Sequence, residues 1–351
     1  MGISVQVLHA NHGDCILISH QVDQATFNVL IDGGDTKTFK YGPRLKYNGH
    51  LCNILDQIKG RKEHIDLAIL THIDDDHIGG LLRAFEEQGY LQDMVKRVWF
   101  NSSKKITQYF DHSEISENNV YLRNISPETG IKKGKELELL LDEIECKREP
   151  IIISGQVLEV GPFTFKILSP NKANLEKLLC VWPCEGRTSE TAGAQNDHSL
   201  SFEEILAVDD FCGDPSKTNG SSIGFIVEAD EKAMLFLGDA HDKTIVESLQ
   251  NLRYSREKKL HVDLVKISHH GSQYNTSPEF LAMIEAKNYL ISTDGLHHGH
   301  PDKRTIARII NSNPNAVISF NYVRPIKSLL LPQEYDKFSD QLQLLTNRIK
   351  L

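Results

Sequence analysis

The short apolar run Leu67-Ala68-Ile69-Leu70 leads directly into Thr71-His72-Ile73-Asp74-Asp75-Asp76-His77-Ile78-Gly79-Gly80. An apolar run bounded by polar residues reads as a buried strand. The segment after the turn, Leu81-Leu82-Arg83-Ala84-Phe85-Glu86-Glu87, has helical composition. Four potential metal ligands, His72, Asp74, Asp76 and His77, therefore sit on a turn where a buried strand ends. Two imidazoles and two carboxylates so close together pack poorly and repel unless a cation lies between them. The Gly79-Gly80 pair lets the backbone turn tightly behind the ligands. A solvated acidic loop is the competing reading. The alternation of histidine with carboxylate, and a matching second half of the chain, weigh against it.

The rest of the chain repeats this placement of chemistry after strands. Residues 3–9 alternate as a strand, followed by a turn at Asn11-His12-Gly13-Asp14. Residues 15–19 and 27–31 read as a hairpin ending in Asp32-Gly33-Gly34-Asp35, which can set the Asp32 carboxylate under a site. Residues 36–48 read as polar and irregular, 52–58 as a short helix, 97–100 as a strand and 134–146 as a helix with one apolar side. Three strands are expected at 151–153, 157–160 and 163–168, and a short helix at 174–179. Residues 183–218 look like a surface excursion or lid, because so long a polar stretch is unusual inside a compact domain. A second hairpin, 223–228 with 233–237, ends in Gly238-Asp239-Ala240. Helices are expected at 242–252 and 278–286. The strand 262–267 ends in Ser268-His269-His270-Gly271-Ser272, and the strand 289–292 in a segment reaching Gly299-His300-Pro301. Strands that end at one rim of a sheet bring their loops together, so Asp32, the 72–77 turn, Asp239, His269, His270 and His300 can converge.

These motifs together resemble the metallo-β-lactamase fold hydrolases. The signature turn of that family is His-x-His-x-Asp-His. Here it reads His-x-Asp-x-Asp-His, with Asp74 in place of histidine, as in the branch containing the metallo-β-lactamase domain of the bacterial competence DNA-uptake protein. The likeness extends to His12-Gly13-Asp14, Leu30 to Gly34, Asn219 to Ser222, Gly238-Asp239-Ala240, Lys266 to Ser272 and Gly299-His300-Pro301. The resemblance implies an α/β fold, a four-layer αββα sandwich of two mixed sheets flanked by helices, as a single domain over 1–351 with insertions at about 101–150 and 183–218. It also implies one or two divalent metal ions, zinc or manganese, with a bound hydroxide. By position, His72, Asp74 and His270 would hold the first metal, Asp76, His77 and His300 the second, and Asp239 would bridge. Asp32, Asn219 and Ser222 would stand behind them. The usual histidine between the signature turn and the Gly-Asp has no obvious equivalent; Asn219 or Ser222 occupies that stretch. An oxygen ligand at Asp74 shifts preference toward harder ions, which makes manganese a rival to zinc.

A metal ion lowers the pKa of bound water and can stabilise attacking and leaving oxygens at phosphorus. The leading expectation is therefore a metal-dependent phosphodiesterase, a nuclease or nucleotide hydrolase, acting on a phosphoester such as nucleic acid or a nucleotide. Asp76, His269 and His270 are its candidate catalytic residues. Either histidine can be a ligand, protonate a leaving group or bind a phosphate oxygen. The alternative is hydrolysis of a non-phosphate ester, thioester, lactone or lactam on the same centre, because one fold supports many chemistries. A scaffold with a vestigial centre is a third reading. His297 and His298 read as rim residues, and Lys266 as a packed residue with its head at the rim. The formal net charge of −9 among 351 residues argues against a surface built to coat long nucleic acid. A local basic groove stays open, with Lys104-Lys105, Lys132-Lys133 with Lys135, Lys147-Arg148 and Arg256 with Lys258-Lys259 as candidates. Six scattered cysteines and no signal segment point to reduced thiols in the cytoplasm. Cys180 and Cys184 have half a zinc clip's spacing without a second half. No apolar run is long enough to cross a bilayer, so no membrane association is expected. A protein partner is plausible and unnamed.

Overall fold

Both expected hairpins form, and each seeds a sheet. Ile16–Val22 pairs antiparallel with Ala25–Ile31 in the register Ile16 to Ile31. Gly224–Ala229 pairs antiparallel with Lys232–Phe236, Phe225 facing Phe236. The structure is a computed structural model and describes residues 2–23, 25–111, 130–181, 196–346 and 348–351. Its last two residues aside, the chain packs as two compact units, one of residues 1–153 with 170–190 and one of 154–169 with 191–349.

The main sheet of the first unit contains β1 (Gly2–Val7), β2 (Ile16–Val22), β3 (Ala25–Ile31), β4 (Leu67–Ile69), β5 (Arg97–Trp99) and β6 (Lys147–Arg148). They lie side by side in that order. β1, β2 and β3 are antiparallel neighbours, whereas β3 to β6 run parallel. Parallel neighbours need crossover segments, and these are largely helical. The helix His50–Gly60 joins β3 to β4, and Asp75–Glu86 stands between β4 and β5. Asp75–Glu86 buries Ile78, Leu81, Leu82 and Phe85 on one face, at the spacing that a helix repeats. Each such side chain contributes about 1.5–3 kcal/mol on burial, which pins the polar turn at its N-terminus.

In the second unit the strands are β7 (Val157–Val160), β8 (Phe163–Ser169), β9 (Gly224–Ala229), β10 (Lys232–Phe236), β11 (Leu260–Lys266), β12 (Ile284–Ile291), β13 (Val317–Phe320) and β14 (Leu342–Leu344). They too are adjacent in chain order. β7 to β10 are antiparallel and β10 to β14 parallel. Its core is formed by Phe280, Tyr289, Ile291, Phe320 and their neighbours. In parallel sheets functional residues gather beyond the carboxyl ends of the strands. The acid and histidine segments of each unit stand there, after β3 and β4 in the first and after β10, β11 and β12 in the second.

Several expectations are corrected. Residues 151–153 are buried but form no strand. The Asn101 side chain takes the place of a neighbouring backbone, donating to Ile152 O at 2.8 Å and accepting from Ile152 N–H at 2.9 Å. The helix read at 134–146 spans Gly130–Glu143. The helix read at 278–286 stops at Met283, and Ile284 starts β12. The irregular stretch 36–48 holds a short helix, Thr36–Phe39, and a ribbon of Lys40–Tyr41 against Tyr47–Asn48. Within 196–218, the described part of the expected excursion, the chain is fastened rather than loose. Phe202 is buried, Asp209 is held by Arg304 and Arg308, and Asp197 accepts from the backbone N–H groups of Lys303 and Arg304. The polar composition that suggested a surface loop is the side of these contacts that ion pairs satisfy.

Candidate functional site

In the first unit the 72–77 turn is gripped by backbone. A Cβ on Gly13 would stand 1.8 Å from the Asp76 carbonyl oxygen, and one on Gly33 would stand 2.1 Å from the Leu81 nitrogen. Only glycine allows such approach. Asp74 is the N-cap of Asp75–Glu86 by its backbone, yet its side chain makes no cap hydrogen bond. Its carboxylate lies 3.5 Å from His72 Nε2 instead. The acids in the first helical turn sit where the helix dipole favours negative charge.

Asp32 is fully buried and organises the turn. Its Oδ1 accepts from Thr71 N–H at 2.7 Å, and its Oδ2 accepts from the Thr71 hydroxyl at 2.8 Å. Oδ2 also lies 2.8 Å from His77 Nδ1. A carboxylate only accepts, so His77 carries its proton on Nδ1 and a lone pair on Nε2. Thr71 has spent its one proton on Asp32, so its 3.1 Å contact with His72 Nδ1 has histidine as donor. The His72 Nε2 is then also a lone-pair nitrogen. The His77 Nε2 stands 3.8 Å from Asp76 Oδ2, and the two imidazole rings are 4.1 Å apart. Acceptor faces acceptor in both imidazole–carboxylate pairs, an arrangement that repels unless a proton or metal ion stands there. Asp14, Asp32 and His77 also offer donor atoms within 4.8 Å of one another. Imidazole nitrogen with carboxylate oxygen is a donor set that zinc and manganese both accept, so these residues fit the metal that the resemblance implies.

In the second unit Asp239 is buried, and its N–H donates to Ser222 Oγ at 3.0 Å. His270 Nδ1 lies 2.9 Å from the Ser292 carbonyl oxygen, which fixes the proton on Nδ1 and turns the Nε2 lone pair to Asp239 Oδ2 at 3.7 Å. His269 Nδ1 is 3.0 Å from Asn275 Oδ1 and 3.4 Å from Asp214 Oδ2. Its Nε2 is 3.9 Å from Asp239 Oδ2. Asn219 and Asn275 each donate to Asp214 Oδ2, at 2.8 and 3.0 Å. Burial alone would push the Asp214 carboxyl up, but the hydrogen bond and charge of His269, with Asn219 and the Ser216 N–H, bring it down to about 2. Burial likewise disfavours a charge on His269, yet Asp239 and Asp214 outweigh it and hold its pKa above the ordinary imidazole value. Burial takes His300 below that value despite Asp302 beside it; its ring is 5.0 Å from that of His269.

His269 and His270 both adopt left-handed backbone, with φ of 47° and 52°. Such residues are held there by their surroundings and cluster at functional sites. Here the His269 N–H is tied to Gly238 O at 2.9 Å, and Ser268 Oγ to Ala240 O at 2.8 Å. His297 and His298 are exposed and Lys266 is buried. Thr71, Asp214 and Asn275 escaped sequence reasoning. Thr71 reads as part of a strand end, and Asp214 and Asn275 sit among small polar residues that look like ordinary loop.

Several cations of the candidate basic stretches are paired locally. Lys104 and Arg148 both pair with Asp142, Lys132 with Glu136 and Lys133 with Asp75. Cys184 lies outside the described residues. No helix among the described residues is long and apolar enough to cross a membrane.

Residues 10–153 match the family model described as the Metallo-beta-lactamase superfamily. ComE operon protein 3 of Bacillus subtilis (strain 168) is 19% identical over 352 residues, covering 95% of this chain and 34% of that protein. The chain thus spans about a third of the length of the curated relative it matches. Among solved structures, the metallo-beta-lactamase fold protein YhfI from Bacillus subtilis aligns over 99% of both chains at 12% identity, with a TM-score of 0.41. Zn(2+)-bound PqqB from Methylobacterium extorquens aligns over 99% of both chains at 11% identity, with a TM-score of 0.44. The stretch that carries Asp32 and the 72–77 turn is thus similar to the metallo-β-lactamase superfamily.

Proposed function

We propose that this chain is a metal-dependent phosphodiesterase acting on nucleic acid or a nucleotide. The observation that carries the reading is the pair of imidazoles whose Nε2 lone pairs face carboxylates, His72 to Asp74 and His77 to Asp76. In the first unit these four residues would hold a divalent ion. In the second unit Asp239, His270 and His300 are the corresponding donors. The ion supplies Lewis-acid activation of water and polarisation of a phosphoryl oxygen. The choice of a phosphodiester over an ester or lactam is supported by the oxygen-rich donor set and by the resemblance to the DNA-uptake branch.

The chain's own residues then have definable tasks. Asp32 and Thr71 fix the tautomers of His77 and His72. Asp76, whose side chain is 18% exposed, accepts a hydrogen bond from the attacking water. His269, clamped at Nδ1 by Asn275 and Asp214, presents Nε2 to a substrate oxygen and holds a proton there for the leaving group. The test is turnover of bis-p-nitrophenyl phosphate, single-stranded DNA, RNA and cyclic dinucleotides by the purified chain with manganese or zinc. Metal-dependent cleavage that disappears in Asp76→Ala and His77→Ala is expected. Stoichiometric metal binding without turnover of any of these overturns the reading, and cleavage of lactones or lactams alone replaces it with the other hydrolase chemistry.

A further inference from the structure

Beyond the metal ligands, one surface element of the first unit is built in a way that its packing does not explain. Between Asp35 and Asp56 the chain has Lys37, Lys40, Arg44 and Lys46 and no acidic residue, although the chain as a whole is acidic. Every residue from 41 to 48 is exposed. Within this segment Tyr41 and Tyr47 are 47% and 49% exposed. They stand opposite each other in the ribbon, so their rings share one face, with centroids 5.5 Å apart and planes inclined by 35°. The Lys46 ammonium lies 6.0 Å from the Tyr47 ring. Lys40 is neutralised by Glu87. Lys37, Arg44 and Lys46 make no ion pair among the described residues.

The element is held firmly. Gly49 N–H donates to Phe39 O at 2.7 Å. Phe39 is buried and meets Tyr90 edge-on at 5.1 Å. Asp35 caps the short helix through Thr38 N–H at 3.1 Å. The root of the ribbon is the Asp32-to-Asp35 turn, which is bonded to the helix bearing Asp76 and His77 through Gly80 N–H to Gly34 O at 2.9 Å. Tyr41 is the sixth residue after Asp35, a reach of at most about 20 Å, or a few nucleotides of extended strand.

We propose that the ribbon 40–48 is a platform for single-stranded nucleic acid. Tyr41 and Tyr47 stack unpaired bases, and Lys37, Arg44 and Lys46 bind the phosphates between them. Rigid aromatic faces among cations are the combination that single strands use, since every base has a face to stack and every linkage a charge to neutralise. A duplex keeps its base faces covered, and an acidic polypeptide has charge but nothing for the paired rings to stack on. As a statement about substrate, the proposal rests on the phosphodiesterase reading; as a statement about binding it is measured without turnover.

The experiment is fluorescence anisotropy of a labelled, cleavage-resistant phosphorothioate oligothymidylate, and of the matching oligouridylate, with the full chain. Tyr41→Ala with Tyr47→Ala is expected to weaken binding at least about tenfold, while Tyr41→Phe with Tyr47→Phe keeps the affinity. Arg44→Gln with Lys46→Gln is expected to reduce the slope of log affinity against log salt by about 1.4. Arg253→Gln with Lys287→Gln removes the same charge from exposed positions elsewhere and is expected to bind as the parent does. Circular dichroism checks that the exposed substitutions leave the fold intact. Parental affinity in the tyrosine-to-alanine variant overturns the proposal, as does equal loss of affinity in the Arg253 and Lys287 variant. Competition by polyglutamate as effective as by unlabelled oligonucleotide also overturns it, in favour of an acidic protein. Platform-dependent binding with no turnover of unmodified oligonucleotide or bis-p-nitrophenyl phosphate sinks the phosphodiesterase reading alone, whereas bis-p-nitrophenyl phosphate turnover without platform-dependent binding sinks only this one.

Discussion

Asp32→Asn changes one atom in a fully buried residue and reverses the direction of a hydrogen-bond relay. The native carboxylate accepts three hydrogen bonds, at 2.7, 2.8 and 2.8 Å, from Thr71 N–H, Thr71 Oγ1 and His77 Nδ1. In asparagine one oxygen becomes an NH2 group. Its oxygen remains with Thr71 N–H, because the opposite orientation sets donor against donor at a cost of about 1–3 kcal/mol. The NH2 then faces Thr71 Oγ1 and His77 Nδ1. His77 can accept only by moving its proton to Nε2, which removes the lone pair that a metal would use. Thr71, now an acceptor, is released to point its own proton at His72 Nδ1, 3.1 Å away. That favours the same tautomer change in the second histidine.

Partners of this kind alter metal affinity by about 10- to 100-fold, so the variant is expected to lose about 1.4–2.7 kcal/mol of binding free energy. The loss should come with little change in fold. A competition titration against a chromogenic chelator measures the affinity, and nitrogen-15 shifts of the imidazoles report the tautomers. Parental zinc or manganese affinity, with the Nδ1-protonated tautomer kept in both histidines, would refute the relay.

Four further outcomes follow from the same geometry. Burial pushes the Asp242 carboxyl up from 3.8 to about 6, although Ser277 donates to it. The folded state therefore binds more protons than the unfolded state between those values, and stability falls as pH rises through the window. Asp242→Asn, which keeps the acceptor for Ser277 N–H, is expected to gain on the parent by up to about 3 kcal/mol across it; urea unfolding at several pH values shows this, and a pH-independent difference excludes it. Asn101→Ala strands the Ile152 N–H and C=O and should destabilise the chain by about 2–4 kcal/mol, read as a lower urea midpoint with an unchanged slope. Phe85→Ala opens a cavity under the helix that carries the ligand turn and should destabilise the chain by about 3–5 kcal/mol in the same measurement. Asp214→Asn is expected to lower kcat on bis-p-nitrophenyl phosphate about tenfold or more with KM little changed; a loss confined to KM would assign Asp214 to substrate binding instead.

What the sequence disclosed and what it hid divide along a physical line. Buried strands announce themselves by composition, so the positions of the 72–77 turn, Gly238-Asp239 and His269-His270 at strand ends were legible in the sequence. Residues that act through a partner distant in the chain were not. Asn101 replaces a strand for Ile152, which lies 51 residues away, and Thr71 acts on His72 only because Asp32 has already taken its proton. Asp214 matters only once folding sets it against His269. The ribbon 40–48 was hidden for another reason: its helix-poor, glycine-containing sequence reads as irregular, and its meaning lies in two tyrosines that pairing brings onto one face. The same logic bears on the candidate basic stretches. A cation counted along the chain carries no information until its neighbours are known, and Asp142 alone takes up both Lys104 and Arg148. Cations without an ion pair among the described residues, beside aromatic surface that folding leaves in water, are the combination that points outward to a ligand, and here they occur on an element rooted beside the 72–77 turn.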